Sequence, residues 1–172
     1  MNNQHVMILI SEEEIKSAII KAASEYSKMY ENEQLTIIAD LTNTFVFAAD
    51  LIRELQIDTT IRFITKDYYE NNHQKPNAEG EESLKDKNIL IITGLLQSGL
   101  TSKKIYDNVN DEKPKNIKVL ALIEKNSKNK IENFEVSSLF KVEDIFIVGY
   151  GITYNKSYGG LKGIYSLQSE VE

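Results

Sequence analysis

The sequence contains no cysteine and only two histidines among its 172 residues. Disulfide bonds, cysteine nucleophiles and thiolate metal sites are therefore excluded, and any metal would have to use oxygen ligands. Basic residues are also in the minority, since 20 Lys and Arg stand against 26 Asp and Glu and give a formal charge of −6. We expect no nucleic-acid partner and no membrane partner, because a polyanionic partner requires a basic surface.

Long hydrophobic runs are absent as well. No stretch approaches the roughly 20 apolar residues that span a bilayer, and the N-terminal MNNQHVMILISEEE lacks the long apolar run and the cleavage site of a signal peptide. We therefore expect a cytoplasmic protein. A chain of 172 residues is near the common size of one domain, so we expect a single domain over residues 1–172.

Helical and strand-like patterns alternate along the chain, which favours an α/β fold with a mostly parallel sheet covered on both faces. Apolar runs of strand length are LTIIAD (35–40), DTTIRFIT (58–65), NILIIT (88–93) and KVLALI (118–123). Three helices are predicted: 12–30, which Ser11 and Glu14 open as a capping box; 45–55, which Thr44 caps after a polar turn at 41–44; and a third that ends near Asn108.

Residues 66–87 are polar and charged, and they show no apolar period. We predict that they form a long mobile loop within the domain. A loop of roughly twenty residues is unusual in a compact domain and is more often functional than not. A disordered insertion at a tolerant site is the alternative.

The segment Gln97-Ser98-Gly99-Leu100-Thr101 follows a predicted buried strand and opens a predicted helix. Ligands bind at the carboxyl ends of parallel strands, where such a turn presents backbone N–H groups to an anion. Gly99 lets the backbone approach a phosphate, and the Ser98 and Thr101 hydroxyls can donate to its oxygens. An ordinary helix-start turn explains the same residues equally well, so both interpretations stay open.

A longer stretch, ILIITGLLQSGLT (89–101), resembles the phosphoribosyl pyrophosphate motif of type I phosphoribosyltransferases: an apolar strand, two acids, two apolar residues, then D-T-G-x-T. Other segments resemble hypoxanthine-guanine phosphoribosyltransferases in the same order along the chain: ILISEEEI (8–15), FVFAADLIREL (45–55), the loop with Tyr69, LIEK (122–125) and FIVGYGITYN (146–155).

The resemblance implies a type I phosphoribosyltransferase-like fold, with a mostly parallel twisted sheet flanked by helices and a small hood formed by the terminal segments. It also implies a reaction in which ribose 5-phosphate passes from phosphoribosyl pyrophosphate to a 6-oxopurine, with Mg²⁺ helping to carry the pyrophosphate charge. Family members are usually dimers or tetramers, so the resemblance implies a homo-oligomer. Fold alone does not imply matching chemistry.

Part of the family's site is matched here. The resemblance assigns Gln97 through Thr101 to the 5′-phosphate cradle, Lys125 to the purine 6-oxo group, Phe146 to stacking on the base and Ile147 to backbone contacts with it. From the residues alone, Phe146 is more typical of a core and Lys125 of a solvated surface. Tyr68 and Tyr69 lie where the family's mobile loop closes over substrate.

Several positions that are charged in the family are neutral here, and all belong to its pyrophosphate, metal or proton-transfer groups. Thr93 and Gly94 stand where the family has two adjacent acids, and Gln97 stands where it has the aspartate often assigned as general base. Thr42, within Leu41-Thr42-Asn43, stands in place of a pyrophosphate-loop lysine. Thr153 stands in place of a late aspartate, and Gly159 in place of an arginine. An amide cannot take up a proton at neutral pH, and a missing general base costs about 10²–10⁴ in rate. We assign no catalytic residue and no metal ligand.

Three functions follow from this pattern. The first is a protein that binds a purine nucleoside monophosphate and has lost phosphoribosyl transfer or retains it only severely impaired. The second is an active hypoxanthine phosphoribosyltransferase of purine salvage that makes IMP or GMP from phosphoribosyl pyrophosphate with Mg²⁺, with Glu124, Asp40 or Asp67 supplying the acids. The third is a structural subunit paired with an active relative.

Overall fold

The computed structural model describes residues 5–64, 82–131 and 134–168, which contain three helices and eight strands. The helices are α1 (Glu12–Met29), α2 (Leu41–Glu54) and α3 (Leu100–Asp111). The strands are β1 (His5–Ile10), β2 (Leu35–Asp40), β3 (Thr59–Ile64), β4 (Asn88–Leu96), β5 (Asn116–Asn126), β6 (Ser137–Glu143), β7 (Ile147–Val148) and β8 (Ile164–Gln168). None of the described helices has the length and apolar character needed to cross a membrane.

Five strands form a parallel sheet in the order β3-β2-β4-β5-β6. Helices α1 and α2 pack on one face, where Phe47 and Leu51 lie in the same apolar cluster as alternate residues of the central strands. Helix α3 packs on the other face through Ile105 and Val109. The predicted parallel sheet with helices on both faces is thus confirmed, and its continuous apolar strands are explained by burial on both sides.

The terminal segments form a second, antiparallel sheet in the order β1-β8-β7. Ile10, Ile147 and Ile164 of this sheet belong to the same apolar cluster as α1 and α2. The hood expected over the main sheet is therefore present, and it is packed on the α1 and α2 side.

The prediction for the start of α2 was wrong. The helix begins at Leu41 and is capped by Asp40, whose Oδ1 accepts a hydrogen bond from the Thr42 N–H at 3.0 Å, so residues 41–44 are its first turn. Thr44 is instead buried, with 1% of its surface exposed, and its hydroxyl oxygen accepts a hydrogen bond from the Gly94 N–H. Aspartate is at least as good a cap as threonine, and Asp40 stands directly at the end of β2.

Three other elements extend further than the apolar runs from which they were predicted. Strand β4 continues to Leu96, β5 spans 116–126 rather than 118–123, and α3 ends at Asp111. Strand β6 was not predicted. It lies at the sheet edge and all its residues are half-buried or exposed, so its sequence carries no strong apolar run.

Only the end of the predicted loop at 66–87 lies within the described residues. Residues 82–87 form neither helix nor strand, yet Leu84 is fully buried and its N–H donates to Glu112 Oε2 at 3.0 Å. These contacts tie this end of the predicted loop to the end of α3.

Two phenylalanines of α2 offer a test of the packing. Phe47 is fully buried, whereas Phe45 is 49% exposed. We expect Phe47→Ala to lower the free energy of unfolding by about 3–5 kcal/mol, because it leaves a cavity between α2 and the sheet. We expect Phe45→Ala to change it by less than about 1 kcal/mol. Urea unfolding of both variants measures the difference, and equal losses would contradict the packing described here.

Candidate functional site

The loop between β4 and α3 is held in a shape that opens toward the carboxyl edge of the sheet. Gly99 caps α3 with φ +84°, a left-handed conformation that glycine adopts without strain. Ser98 Oγ accepts a hydrogen bond from the Leu100 N–H at 3.3 Å, and the Ser98 carbonyl accepts one from the Ile131 N–H at 3.0 Å. The first turn of α3 holds no acidic side chain, so its N-terminus keeps its attraction for an anion.

The start of α2 lies at the same edge of the sheet. Strand β2 ends at Asp40 and the helix begins at the next residue, without an intervening loop. Asp40 Oδ1 accepts hydrogen bonds from both the backbone N–H and the hydroxyl of Thr42, at 3.0 and 2.9 Å. The Asp40 carboxylate and the Thr42 side chain that is hydrogen-bonded to it therefore lie opposite the loop between β4 and α3.

A cavity of about 260 Å³ lies between these two helix starts. It brings together Thr42, Asn43, Thr93 and all five residues of the predicted phosphate cradle. The lining residues are Asp40, Thr42, Asn43, Thr44, Thr93, Leu95, Leu96, Gln97, Ser98, Gly99, Leu100, Thr101 and Ser102. Leu41, also predicted for the site, is 41% exposed at the start of α2 and does not line this cavity.

The charge of the cavity is carried by Asp40, which is the one ionisable residue among the described residues that line it. The described residues contain no group of three or more His, Asp or Glu able to hold a metal ion. Mg²⁺ demands near-octahedral oxygen coordination, and one carboxylate already bonded to Thr42 is a poor basis for it. The described residues therefore do not form a prebuilt magnesium site.

Gly94 lies behind the cavity, in direct contact with α2. A Cβ at this position would lie 1.9 Å from the backbone oxygen of Asn43, so no side chain fits. The Gly94 N–H donates to the buried Thr44 hydroxyl at 3.0 Å. The neighbouring Thr93 is half-buried and lines the cavity.

The residues predicted to contact a purine lie near the carboxyl end of β5 and at the start of β7, and none of them lines the cavity. Lys125 is buried, with 8% of its side chain exposed, and its Nζ lies 4.0 Å from Asp144 Oδ1. Phe146 precedes β7 and is 48% exposed, so it is not a core residue, and its ring meets Tyr154 edge-on with centroids 5.0 Å apart. Ile147 is buried. Lys125 is thus a buried cation and Phe146 an accessible aromatic ring.

Glu124, next to Lys125 on β5, is held by an ionic network. Its carboxylate accepts hydrogen bonds from Lys130 Nζ at 2.5 Å and Ser138 Oγ at 2.6 Å, and Lys141 Nζ lies 3.7 Å away. Burial alone would raise the pKa of Glu124, but these two hydrogen bonds and the two lysine charges together outweigh it, so the pKa lies below its ordinary value of 4.5. Glu124 therefore remains ionised at neutral pH and serves to fix the segment after β5.

Thr153 and Gly159 lie against each other in the turn before β8. A Cβ on Gly159 would meet Thr153 Cγ2 at 2.8 Å, and the Gly159 carbonyl accepts a hydrogen bond from the Gly151 N–H at 2.9 Å. The same turn is tied to α2, because the Tyr150 hydroxyl donates to Asp50. Burial, followed by this contact, raises the pKa of Tyr150 above its ordinary value. Neither Thr153 nor Gly159 lines the cavity described above.

Tyr68, Tyr69 and Asp67 lie outside the described residues. Three contacts of the site were missed by sequence reasoning: Asp144 at Lys125, Tyr154 at Phe146, and Ile131 at the phosphate loop. Ile131 is remote in sequence from the loop that it contacts, and Asp144 follows β6, a strand that was not predicted. Asp144 alone had a local signal, as an acid at the end of the FKVED segment.

Comparison with known proteins gives consistent matches. Residues 9–155 match the model of the phosphoribosyl transferase domain family. A hypoxanthine phosphoribosyltransferase of Haemophilus influenzae is 28% identical and covers 94% of each chain, and one of Buchnera aphidicola is 30% identical over 89% of this chain and 90% of its own. A crystal structure of a hypoxanthine-guanine phosphoribosyltransferase from Bacillus anthracis is similar with a TM-score of 0.82 at 30% identity, covering 96% of this chain and 100% of that one.

The Glu124 network gives a pH-dependent prediction. Because the folded-state pKa lies below 4.5, the carboxylate stabilises the fold above that pH, and the contribution is lost as the pH falls through the folded-state pKa. We expect Glu124→Gln to lower the free energy of unfolding by roughly 1–3 kcal/mol at neutral pH, and the deficit to shrink in acid. Urea unfolding at successive pH values measures it. Glu143→Gln, at an exposed carboxylate at the end of β6, is the control, and a pH-independent deficit would contradict the assignment.

Proposed function

This chain belongs to the hypoxanthine-guanine phosphoribosyltransferase family of phosphoribosyl transferase domains, and from that premise we propose that its site binds a purine nucleoside monophosphate. We further propose that phosphoribosyl transfer is lost or severely impaired. In this proposal the 5′-phosphate lies at Ser98, Gly99 and Thr101. The base lies between Lys125 and Phe146.

The observation that carries the proposal is the asymmetry of the cavity. On its α3 side, a left-handed Gly99 and an acid-free helix start offer backbone N–H groups and hydroxyls to one phosphate. On its α2 side, the described lining residues are neutral except for Asp40. Among the described residues, the cavity lining thus has donors for a monophosphate product and no lysine or arginine for a pyrophosphate leaving group.

The proton-transfer step supports the same conclusion. Gln97 stands at the position that the resemblance assigns to the general base, and it is exposed at the rim of the cavity. Glu124 is engaged with Lys130 and Ser138, so it is not poised to take the place of that base. A missing base costs about 10²–10⁴ in rate, before any loss of metal support.

An active hypoxanthine phosphoribosyltransferase is the second candidate, and the comparisons favour it, since the relatives are named for that activity. Asp40 is the residue on which this candidate depends, because it lies in the cavity and could contribute one ligand to Mg²⁺ bound with substrate phosphates. Under either candidate function, we propose that the protein is a homo-oligomer and lies in the cytoplasm. A purely structural subunit would bind neither nucleotide nor phosphoribosyl pyrophosphate.

Ligand binding tests the proposal directly. We expect inosine or guanosine 5′-monophosphate to bind without Mg²⁺ in isothermal titration calorimetry. Gly99→Ala should weaken binding about tenfold, because the free loop relaxes away from a left-handed conformation that costs alanine about 1–2 kcal/mol, and binding must restore that conformation. Ordinary space exists for the Cβ itself. Gly160→Ala is the matched control, since nothing lies within 4 Å of its Cβ. No binding at millimolar concentration would refute the proposal.

A turnover assay separates the two candidates. With hypoxanthine or guanine, phosphoribosyl pyrophosphate and Mg²⁺, we expect nucleotide formation at least about 10²-fold below ordinary enzyme rates. Gln97→Asp should raise any residual rate, since it returns a proton acceptor to the cavity rim. Turnover at an ordinary rate that is lost in Phe146→Ala would establish the second candidate instead.

A further inference from the structure

We propose that Tyr150 is a positioning residue for base binding, because its hydroxyl ties the turn after β7 to the helix that lines the cavity. The inference rests on the proposed function and deepens it, since it names the contact that orients the predicted base-stacking ring of Phe146. It is carried by the conformation of the turn at 149–152 and by the hydrogen bond from Tyr150 to Asp50.

The turn after β7 is a two-residue hairpin. Gly149 and Ile152 exchange both backbone hydrogen bonds, at 2.9 and 3.0 Å, so Tyr150 and Gly151 are its central residues. Both have positive φ, 51° and 89°, as a type I′ turn requires, and such positions are usually filled by asparagine, aspartate or glycine. A tyrosine at the first central position is therefore strained, and strain of this kind persists only where surrounding contacts enforce it.

Helix α2 supplies the contacts that enforce this conformation. Tyr150 is buried, with 8% of its surface exposed, and its hydroxyl donates to Asp50 Oδ2. The other oxygen of this carboxylate, Oδ1, lies 3.6 Å from Arg53 Nη1. A Cβ on Gly151 would lie 3.2 Å from Val46 Cγ2, so the backbone of the turn also packs directly on the helix. The turn is thus held against α2 by close packing and by a directional hydrogen bond.

Phe146 moves with this turn. Its ring is 48% exposed, so core packing does not hold it, and it meets the ring of Tyr154, on the far side of the turn in sequence, edge-on at 5.0 Å. Its backbone is fixed within the hood, because its carbonyl accepts the Leu167 N–H at 3.0 Å and the next two residues pair with β8. The position of the ring relative to the cavity therefore depends on how the hood is held on α2.

Helix α2 is common to the two halves of the proposed site. Its first turn supplies Thr42, Asn43 and Thr44 to the cavity lining, and Asp50 lies about two turns further along. Apolar packing also holds the hood on this helix, but apolar packing is non-directional. The hydrogen bond of Tyr150 adds the directional constraint that sets the Phe146 ring relative to the phosphate loop.

Inosine 5′-monophosphate and ribose 5-phosphate are the matched probes, because they share the ribose phosphate and differ in the base. Tyr150→Phe keeps the buried ring and removes the hydroxyl. In calorimetric titration we expect this variant to bind the nucleotide about five- to tenfold more weakly and ribose 5-phosphate within about twofold of the wild-type affinity. An equal loss for both probes, or no loss for either, overturns the inference.

Tyr30→Phe is the matched control. It removes another buried tyrosine hydroxyl, which donates to Asn116 Oδ1 at 3.1 Å at the opposite, amino end of β5. This variant should lose stability in urea unfolding and keep both affinities. A nucleotide-specific loss in Tyr30→Phe as large as that in Tyr150→Phe would show a general effect of weakened packing, which also overturns the inference.

Further variants show whether Tyr150 acts through Asp50 and Phe146. We expect Asp50→Asn to keep most of the nucleotide affinity, since an amide oxygen still accepts the hydroxyl, and Asp50→Ala to match the loss in Tyr150→Phe. Asp50→Ala also carries the test should Tyr150→Phe fold poorly. In a Phe146→Ala background, Tyr150→Phe should cause no further loss, because the ring that it positions is gone. Losses that add in that background contradict a role through Phe146.

The wild-type protein separates the two possible failures. If it binds inosine 5′-monophosphate no more tightly than ribose 5-phosphate, the base position of the proposed function fails, and the inference fails with it. If the preference for the nucleotide is present and is unchanged in Tyr150→Phe and Asp50→Ala, the proposed function stands and the inference alone fails.

Discussion

The parallel pairing of β2 with β4 is the constraint on which the rest of the molecule depends. Residues 35–39 pair in register with residues 88–92, and all of them are buried. Each strand leads into a helix, β2 directly and β4 after a three-residue loop, so α2 and α3 begin at the same edge of the sheet. A slip of one residue would exchange the buried faces and move one helix start by about 3.3 Å. The cavity exists because this register holds.

Much of the fold could be predicted because it depends on local patterns. The continuous apolar runs of β2, β4 and β5 predict strands buried on both faces, and Ser11 with Glu14 predicts the start of α1, where both capping-box hydrogen bonds are present. The start of α2 could not be predicted in this way. Asp40 and Thr44 are both good caps in isolation, and the choice is settled by Gly94, fifty residues away, which takes the Thr44 hydroxyl as its acceptor.

The candidate site shows the same division. The loop at 97–99 could be placed between a strand and a helix from its own residues, and phosphate binding there stays a prediction. The contacts that join this loop to the segment after β5 could not be predicted. The segment after β5 binds the phosphate loop through Ile131 and binds Glu124 through Lys130. Glu124 in turn adjoins the buried Lys125 of the proposed base site. The proposed phosphate and base positions are thus connected through Ile131, Lys130 and Glu124, whose contacts depend on tertiary structure.

The close approach of Gly94 to Asn43 also bears on how this sequence can change. Replacing Gly94 with an acid requires α2 to move first, because a substituent at Cα meets main-chain oxygen at 1.9 Å. Moving α2 in turn breaks the bond from Gly94 to Thr44 and disturbs a helix whose Phe47 and Leu51 are fully buried. A variant with a side chain at position 94 alone is therefore expected to be unstable unless other substitutions have first moved α2. The packing therefore makes an acidic residue at position 94 hard to acquire by a single substitution.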